Sequence, residues 1–250
     1  MLSKIKIVDV GITNESNDTI LEYLLHRLKK DSKFYIVTPN PELLGMAHKN
    51  KHYKSILNNA EISLADGSGL FMASIFLGKP LKQRIPGVDF LEFICKSVED
   101  KPISIGFLGG GAGVAEKTAE RLLNKYPRLD VVFVGSDWND EGYRVAAKLG
   151  KSSKQDPNVK IDLLFVAFGS PKQEEWIYKN LDHLPVKAAM GVGGAFDFIA
   201  GEVTRAPFIL RYLWFEWLYR LIREPWRWHR QLALFTFIRL VLRERFGKKS

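Results

Sequence analysis

Short runs of β-branched, aromatic and aliphatic residues recur along the 250-residue chain, spaced so that a helix fits between most of them. They cover Ile5 to Val10, Phe34 to Val37, Glu61 to Ala65, Ile103 to Leu108, Val131 to Gly135, Leu163 to Phe168 and Val186 to Met190. The runs are continuous in hydrophobicity, as strands covered on both faces should be, and do not alternate. Helical periodicity fills the gaps. Asp18 to Lys30 sets Ile20, Leu21, Leu24, Leu25 and Leu28 on one stripe, and Gly113 to Tyr126 does the same with Val114, Leu122 and Leu123. The pattern predicts an α/β fold: a Rossmann-like, mainly parallel sheet with helices on both faces, made of seven βα units. No repeat or long linker interrupts it.

The turns after these strands carry most of the polar and glycine signal. They read Thr38-Pro39-Asn40-Pro41, Ala65-Asp66-Gly67-Ser68-Gly69, Gly109-Gly110-Gly111-Ala112-Gly113, Gly169-Ser170-Pro171-Lys172-Gln173 and Gly191-Val192-Gly193-Gly194-Ala195-Phe196-Asp197. In a parallel sheet all of them fall on the carboxyl edge, where α/β proteins bind ligands. Glycines at a strand-to-helix turn let backbone amides approach a phosphate, although a tight turn without a ligand needs them too. Neither glycine cluster is a dinucleotide fingerprint, because Val114 and Phe196 stand where the third glycine belongs, and no Gly-Lys-Ser/Thr ending marks a P-loop. A nucleotide-binding oxidoreductase is disfavoured on that ground. Asp66 can face a cleft or cap a helix. Asn40, held between two prolines, can position a ligand or open a helix. Arg84 is a candidate phosphate fork or a surface arginine.

Composition changes abruptly near Gly201, and this sets the domain boundaries at 1–200 for the sheet and 201–250 for an appendage. The net charge is +9, yet the last fifty residues alone hold 11 Lys/Arg against 4 Asp/Glu, and four of the six tryptophans. The sheet is expected to close without them. Helical spacing from Pro207 to Arg223 leaves Arg211, Glu216, Arg220 and Arg223 as the charged positions of an apolar, aromatic segment, and Pro225 should open a second helix. Tryptophan beside arginine is a headgroup-layer composition, so the segment reads as membrane-associating. Core helices or an interface in a homo-oligomer compete with that reading, and a basic nucleic-acid-binding protein is the alternative of another class. The longest charge-free stretch of the tail, Gln231 to Ile238, falls short of the roughly 20 residues that span a bilayer. Met1 to Ile7 lacks the apolar stretch of an export signal, so the expected location is cytoplasmic, peripheral on the inner face of the cell membrane. Metal chemistry has little support. The single cysteine, Cys95, reads as a buried small hydrophobe, the five histidines are scattered, and no Asp-x-Asp pair is present.

Taken in order, Thr38-Pro39-Asn40-Pro41-Glu42, Ala65-Asp66-Gly67, Arg84-Ile85-Pro86-Gly87, Phe107-Leu108-Gly109-Gly110, Phe168 to Glu174 and Gly191 to Asp197 resemble the motifs of the WecG/TagA/CpsF bacterial glycosyltransferases. Arg220 to Arg230 resembles the arginine-rich appendage of that family. The resemblance implies inverting, metal-independent transfer of a sugar from a UDP-activated donor to an undecaprenyl-diphosphate-linked sugar at the membrane. It involves no cofactor and no nucleic acid. In the TagA branch the product is N-acetylmannosaminyl-β(1,4)-N-acetylglucosaminyl diphospho-undecaprenol, the linkage unit of wall teichoic acid. Related branches serve exopolysaccharide or enterobacterial common antigen. The resemblance puts the general base at Asp66 with Thr38 and Asn40 beside it, and the diphosphate and sugar contacts at Arg84 and Gln173. It puts the nucleoside site on Gly109, Gly110, Gly111, Gly169, Gly193, Gly194 and Asp197, and the lipid-diphosphate contacts at Arg220, Arg227 and Arg230.

Overall fold

Six of the seven expected strands pair into one parallel sheet, and the first does not join it. The structure, a computed structural model, describes residues 1–149, 159–207, 219 and 228–247. Its sheet is built of β3 (Phe34–Val37), β4 (Ile62–Ser63), β5 (Ser104–Gly109), β6 (Asp130–Gly135), β7 (Ile161–Ala167) and β8 (Val186–Gly191), in the order β4-β3-β8-β7-β5-β6. Every neighbouring pair is parallel. Side chains alternate across it as period two requires: Leu163, Phe165 and Ala167 enter one apolar cluster, Leu164 and Val166 the other. Because both faces are apolar, the strands read as unbroken hydrophobic runs.

The expected strand from Ile5 to Val10 breaks in its middle. Lys4–Ile7 (β1) and Val10–Thr13 (β2) form an antiparallel hairpin with Ile7 opposite Val10. The two turn residues, Val8 and Asp9, have φ of 49° and 62°, the signs that a two-residue hairpin turn needs. A valine at positive φ is unfavourable, which is why the run looked continuous. The turn is held from outside: Asn58 Nδ2 donates to the Asp9 carbonyl at 3.0 Å, and Glu244 accepts from Val8 N at 2.7 Å. The hairpin also covers the β4 edge, where Ser63 N donates to Thr13 Oγ1 at 3.0 Å.

Helices α1 (Asn17–Leu28), α5 (Gly87–Val98), α6 (Val114–Lys125) and α9 (Ala195–Ile199) pack on one face of the sheet. The other face carries α2 (Pro41–Lys49), α3 (Lys51–Asn59), α4 (Ser68–Phe76) and α8 (Lys172–Asn180). Helix α7 (Glu141–Lys148) packs at the β6 edge and reaches both clusters through Ala146 and Tyr143.

The last helix, α10 (Trp228–Phe246), corrects the expectation that the core closes without the final fifty residues. Phe237, Leu240 and Val241 are buried in the second cluster. The helix crosses α2 so closely that a Cβ on Gly45 would stand 3.1 Å from the Ala233 carbonyl oxygen. Full burial of such side chains is worth roughly 1.5 to 3 kcal/mol each, so this part of the tail contributes to stability. No described helix is long and apolar enough to cross a membrane. Most of the helix expected from Pro207 to Arg223, the break at Pro225, and the residues Arg220 and Arg227 lie outside the described residues.

Candidate active site

The carboxyl ends of four adjacent strands, β4, β3, β8 and β7, open onto one cleft enclosing about 740 Å³, part of it solvent at the mouth. Thr38, Asn40, Asp66, Gly169, Gln173, Gly193 and Gly194 all line it, as expected from the sequence. The structure adds Glu42, Ser170, Val88 and Phe198 to the lining.

Each polar group is held by the fold. Thr38, buried at the end of β3, donates from Oγ1 to the Gly191 carbonyl at 3.1 Å and so ties two strand ends together. Asn40 is extended, as a residue before proline should be, and its side-chain oxygen accepts from Leu43 N at 3.0 Å. It therefore opens helix α2 as N-cap, with Pro41 following, and also borders the cleft. Asp66 is not the cap of α4, because Gly67 occupies that position and makes no side-chain cap bond. Instead its Oδ2 faces the backbone N of Gly87 at 3.4 Å, at the start of α5, while its own N donates to the Pro39 carbonyl at 3.0 Å. The aspartate thus lines the cleft with one carboxylate oxygen held at the start of α5 and its backbone tied to the Pro39 turn.

The floor of the cleft is a buried polar network. Gln173 has no exposed surface; its Oε1 accepts from Gly193 N at 2.9 Å, and its Nε2 donates to Ser170 Oγ at 3.2 Å and to Glu174 Oε1 at 2.7 Å. Glu174 is equally buried and also accepts from Ser170 Oγ at 2.8 Å and from Tyr53 Oη at 3.1 Å. Burial pushes the Glu174 carboxyl upward, opposed by those hydrogen bonds, and pushes the Tyr53 phenol upward as well. The Gly193 amide is committed to Gln173 and so is not a spare donor for a phosphate. Gly191 has to be glycine here, since a Cβ would stand 2.9 Å from Gln173 Nε2.

Other expected residues do not line the cleft. Arg84 is half-buried on the segment that pairs Ile85 N with the Ala65 carbonyl at 2.8 Å, one residue before Asp66. The turn Gly109, Gly110 and Gly111 follows β5, beside β7. Its positive φ at Gly109 and the 2.9 Å approach of a Cβ there to the Ala167 backbone give those glycines a steric reason of their own. Asp197, in α9, brings its Oδ2 to 3.4 Å from a Cβ position on Gly194. Arg230 falls within α10, and its side chain lies outside what is described.

Helices α2, α4 and α8 begin at this edge, so their partial positive N-termini converge on the cleft and favour an anionic ligand. Among the described residues the lining holds the carboxyl groups Glu42 and Asp66 and no lysine or arginine. Nor do three His, Cys, Asp or Glu side chains cluster there or elsewhere among the described residues as a metal-ligand set. Glu174 and Tyr53 were missed by sequence reasoning. Glu174 stood inside a quoted motif, but nothing local told that it would be buried against a tyrosine 121 positions away.

The chain matches the family model described as the glycosyl transferase WecG/TagA/CpsF family over residues 5–250. It is similar to a Bacillus spizizenii protein, 31% identical over 242 residues that make up 97% of this chain and 90% of the relative. A Bacillus subtilis protein is 29% identical, covering 98% and 93%, and a Staphylococcus aureus protein is 32% identical, covering 88% and 85%. All three relatives bear the name N-acetylglucosaminyldiphosphoundecaprenol N-acetyl-β-D-mannosaminyltransferase.

Proposed function

The chain belongs to the WecG/TagA/CpsF family of glycosyltransferases, and from that premise we propose that it transfers N-acetylmannosamine from UDP-N-acetylmannosamine to undecaprenyl-diphosphate-linked N-acetylglucosamine, a product that forms the linkage unit of wall teichoic acid. The observation that carries this reading is the placement of Asp66 in the lining of a polar cleft at the strand ends, in a chain whose relatives share that name along nearly their whole length. The acceptor hydroxyl oxygen attacks the anomeric carbon from the face opposite the diphosphate. Its bond to that carbon forms as the carbon–oxygen bond to UDP breaks, the electron pair leaves with UDP, and Asp66 takes the hydroxyl proton. One such displacement inverts the anomeric centre.

Thr38 and Asn40 position the sugar beside Asp66, and their rigidity comes from the strand tie and the helix cap. Gln173 and the turns at Gly169, Gly193 and Gly194 shape the donor pocket, with Gly109 to Gly111 and Asp197 toward the nucleoside. The departing diphosphate needs positive charge that the described lining does not supply as side chains. The helix N-termini and Arg84 supply part of it, and Arg220, Arg227 and Arg230 supply the rest from the appendage when the protein lies on the cytoplasmic face of the membrane. The proton transfer and the charge stabilisation in this scheme are carried by protein groups without a metal.

A transfer assay tests this directly, using UDP-N-acetylmannosamine, UDP-N-acetylglucosamine and UDP-glucose against a lipid-diphosphate N-acetylglucosamine acceptor. Product is expected with the first donor alone, with the new linkage of inverted configuration by NMR. Preference for another donor would move the enzyme to a different polysaccharide, and retention of configuration would remove the single-displacement mechanism.

A further inference from the structure

Helix α10 is apolar on two opposite faces. Phe237, Leu240 and Val241 turn inward, whereas Phe235, Ile238, Leu242 and Phe246 are 71%, 47%, 44% and 73% exposed. At 100° per residue the four exposed positions fall within a band of about 80°, opposite the buried ones. Helix α4 repeats the arrangement: Leu70, Ala73 and Leu77 just past its end are buried, while Met72, Ile75 and Phe76 are exposed. The two outer stripes are continuous, because the Phe76 and Phe246 rings meet edge to face at 5.9 Å between centroids. An exposed apolar surface of this extent marks an interaction site.

The charges beside it say what it meets. Helix α4 carries no charged residue. On α10 the exposed Arg239 and Arg243 flank the outer stripe on one side and Arg245 on the other. The acid in this stretch, Glu244, is engaged by Lys79 at 2.7 Å and by Val8 N at 2.7 Å. Apolar side chains bordered by arginines suit an anionic lipid surface, with the rings and aliphatic chains at the acyl boundary and the guanidinium groups among phosphates. A second copy seated on the same face would bring the same arginines together, and among the described residues of α4 and α10 the acid, Glu244, is already engaged.

We propose that α4 and α10 together form the membrane-docking face, so that the catalytic sheet unit touches anionic lipid through Met72, Ile75 and Phe76 as well as through the tail. The proposal rests on the reading that the acceptor is lipid-linked, and it adds a geometric consequence. Helix α4 starts two residues after Asp66, and Phe76 lies only roughly 12 Å along it from Ser68. Docking by α4 therefore holds the mouth of the cleft close to headgroup level, where a lipid-borne diphosphate resides.

The test uses the full chain and a triple variant, Met72→Ser with Ile75→Ser and Phe76→Ser, against vesicles of phosphatidylglycerol and phosphatidylcholine, and of phosphatidylcholine alone. Since the three side chains are exposed, the thermal midpoint and turnover of a short-chain, water-soluble acceptor should match the parent. Partition onto the phosphatidylglycerol vesicles should fall at least about tenfold, and the triple leucine variant at the same positions should restore it. Arg239→Glu with Arg243→Glu should weaken partition onto the anionic vesicles, with little change on the neutral ones. Unchanged partition of the serine variant would overturn the proposal, as would a dimer in sedimentation velocity that the serine substitutions dissolve without changing vesicle binding. Failure of the parent to use any UDP-sugar with the soluble acceptor would instead refute the functional reading, and it is read in a separate arm.

Discussion

Glu174→Ala removes the keystone of the cleft floor. The carboxyl accepts from Tyr53 at 3.1 Å, Ser170 at 2.8 Å and Gln173 at 2.7 Å, with no exposed surface through which water could substitute. A buried donor left without an acceptor costs about 1 to 3 kcal/mol. Three donors lose theirs, although the Ser170 and Tyr53 hydroxyls can rotate and Gln173 keeps the Ser170 oxygen. The expected loss is therefore about 3 to 6 kcal/mol, a large share of the roughly 5 to 15 kcal/mol that holds a domain folded. Glu174→Gln keeps an oxygen for Ser170 and Gln173 and removes the buried charge, while its NH2 takes the place of the oxygen beside Tyr53 Oη, which can rotate to accept, so its cost should stay below about 1 kcal/mol. The pair of variants also separates charge from connectivity. Burial raises the Glu174 carboxyl above the ordinary carboxylate range. An acid that binds its proton more tightly in the folded state contributes stability that is greatest while it is protonated. That contribution declines as pH rises from the unfolded value through the raised one. The glutamine variant should lack this part of the decline. Urea midpoints measured from about pH 4 to 8 read both effects. An alanine variant within about 1 kcal/mol of the parent, or a glutamine variant with the parent's full pH slope, would show that the network is not satisfied through Glu174.

Asp66→Asn should leave the fold and UDP-sugar binding nearly intact and lower turnover by roughly 10² or more, the scale of general-base loss. Near-normal turnover in that variant would return Asp66 to a supporting contact with the α5 N-terminus. Transfer should persist in EDTA, and complete loss restored by Mg²⁺ or Mn²⁺ would end the metal-independent mechanism. Phe237→Ala, which empties a buried site between α10 and the sheet unit, should cost about 3 to 5 kcal/mol in denaturant unfolding. A cost near zero would mean that the C-terminal helix adds nothing to the stability of the sheet.

Much of this architecture is legible without coordinates. The unbroken hydrophobic runs at Phe34, Ile105, Leu163 and Val186 announce parallel strands covered on both faces, and the polar turns after them fall together on one edge because parallel topology leaves no other place. Asn40 and Asp66 could be picked for that reason and Thr38 and Gln173 through the family resemblance, and the structure brings all four to one cleft. Local sequence could not show which turn amides and side chains are already spent. Asn40 caps a helix, the Gly193 amide binds Gln173, and Gln173 answers to Glu174 and through it to Tyr53, partners set by packing across positions far apart in the chain. The hairpin at Val8 and Asp9 escaped notice because its turn conformation is imposed by contacts from Asn58 and Glu244 and opposes the preference of valine. The tail shows the same division. Its mixture of aromatic, aliphatic and arginine residues is a property of composition, but helical periodicity alone cannot say which of two apolar faces turns inward. Only the seat of α10 on α2 decides that Phe237, Leu240 and Val241 belong to the core while Phe235, Ile238 and Leu242 face outward, because burial is a relation between elements that no single segment contains.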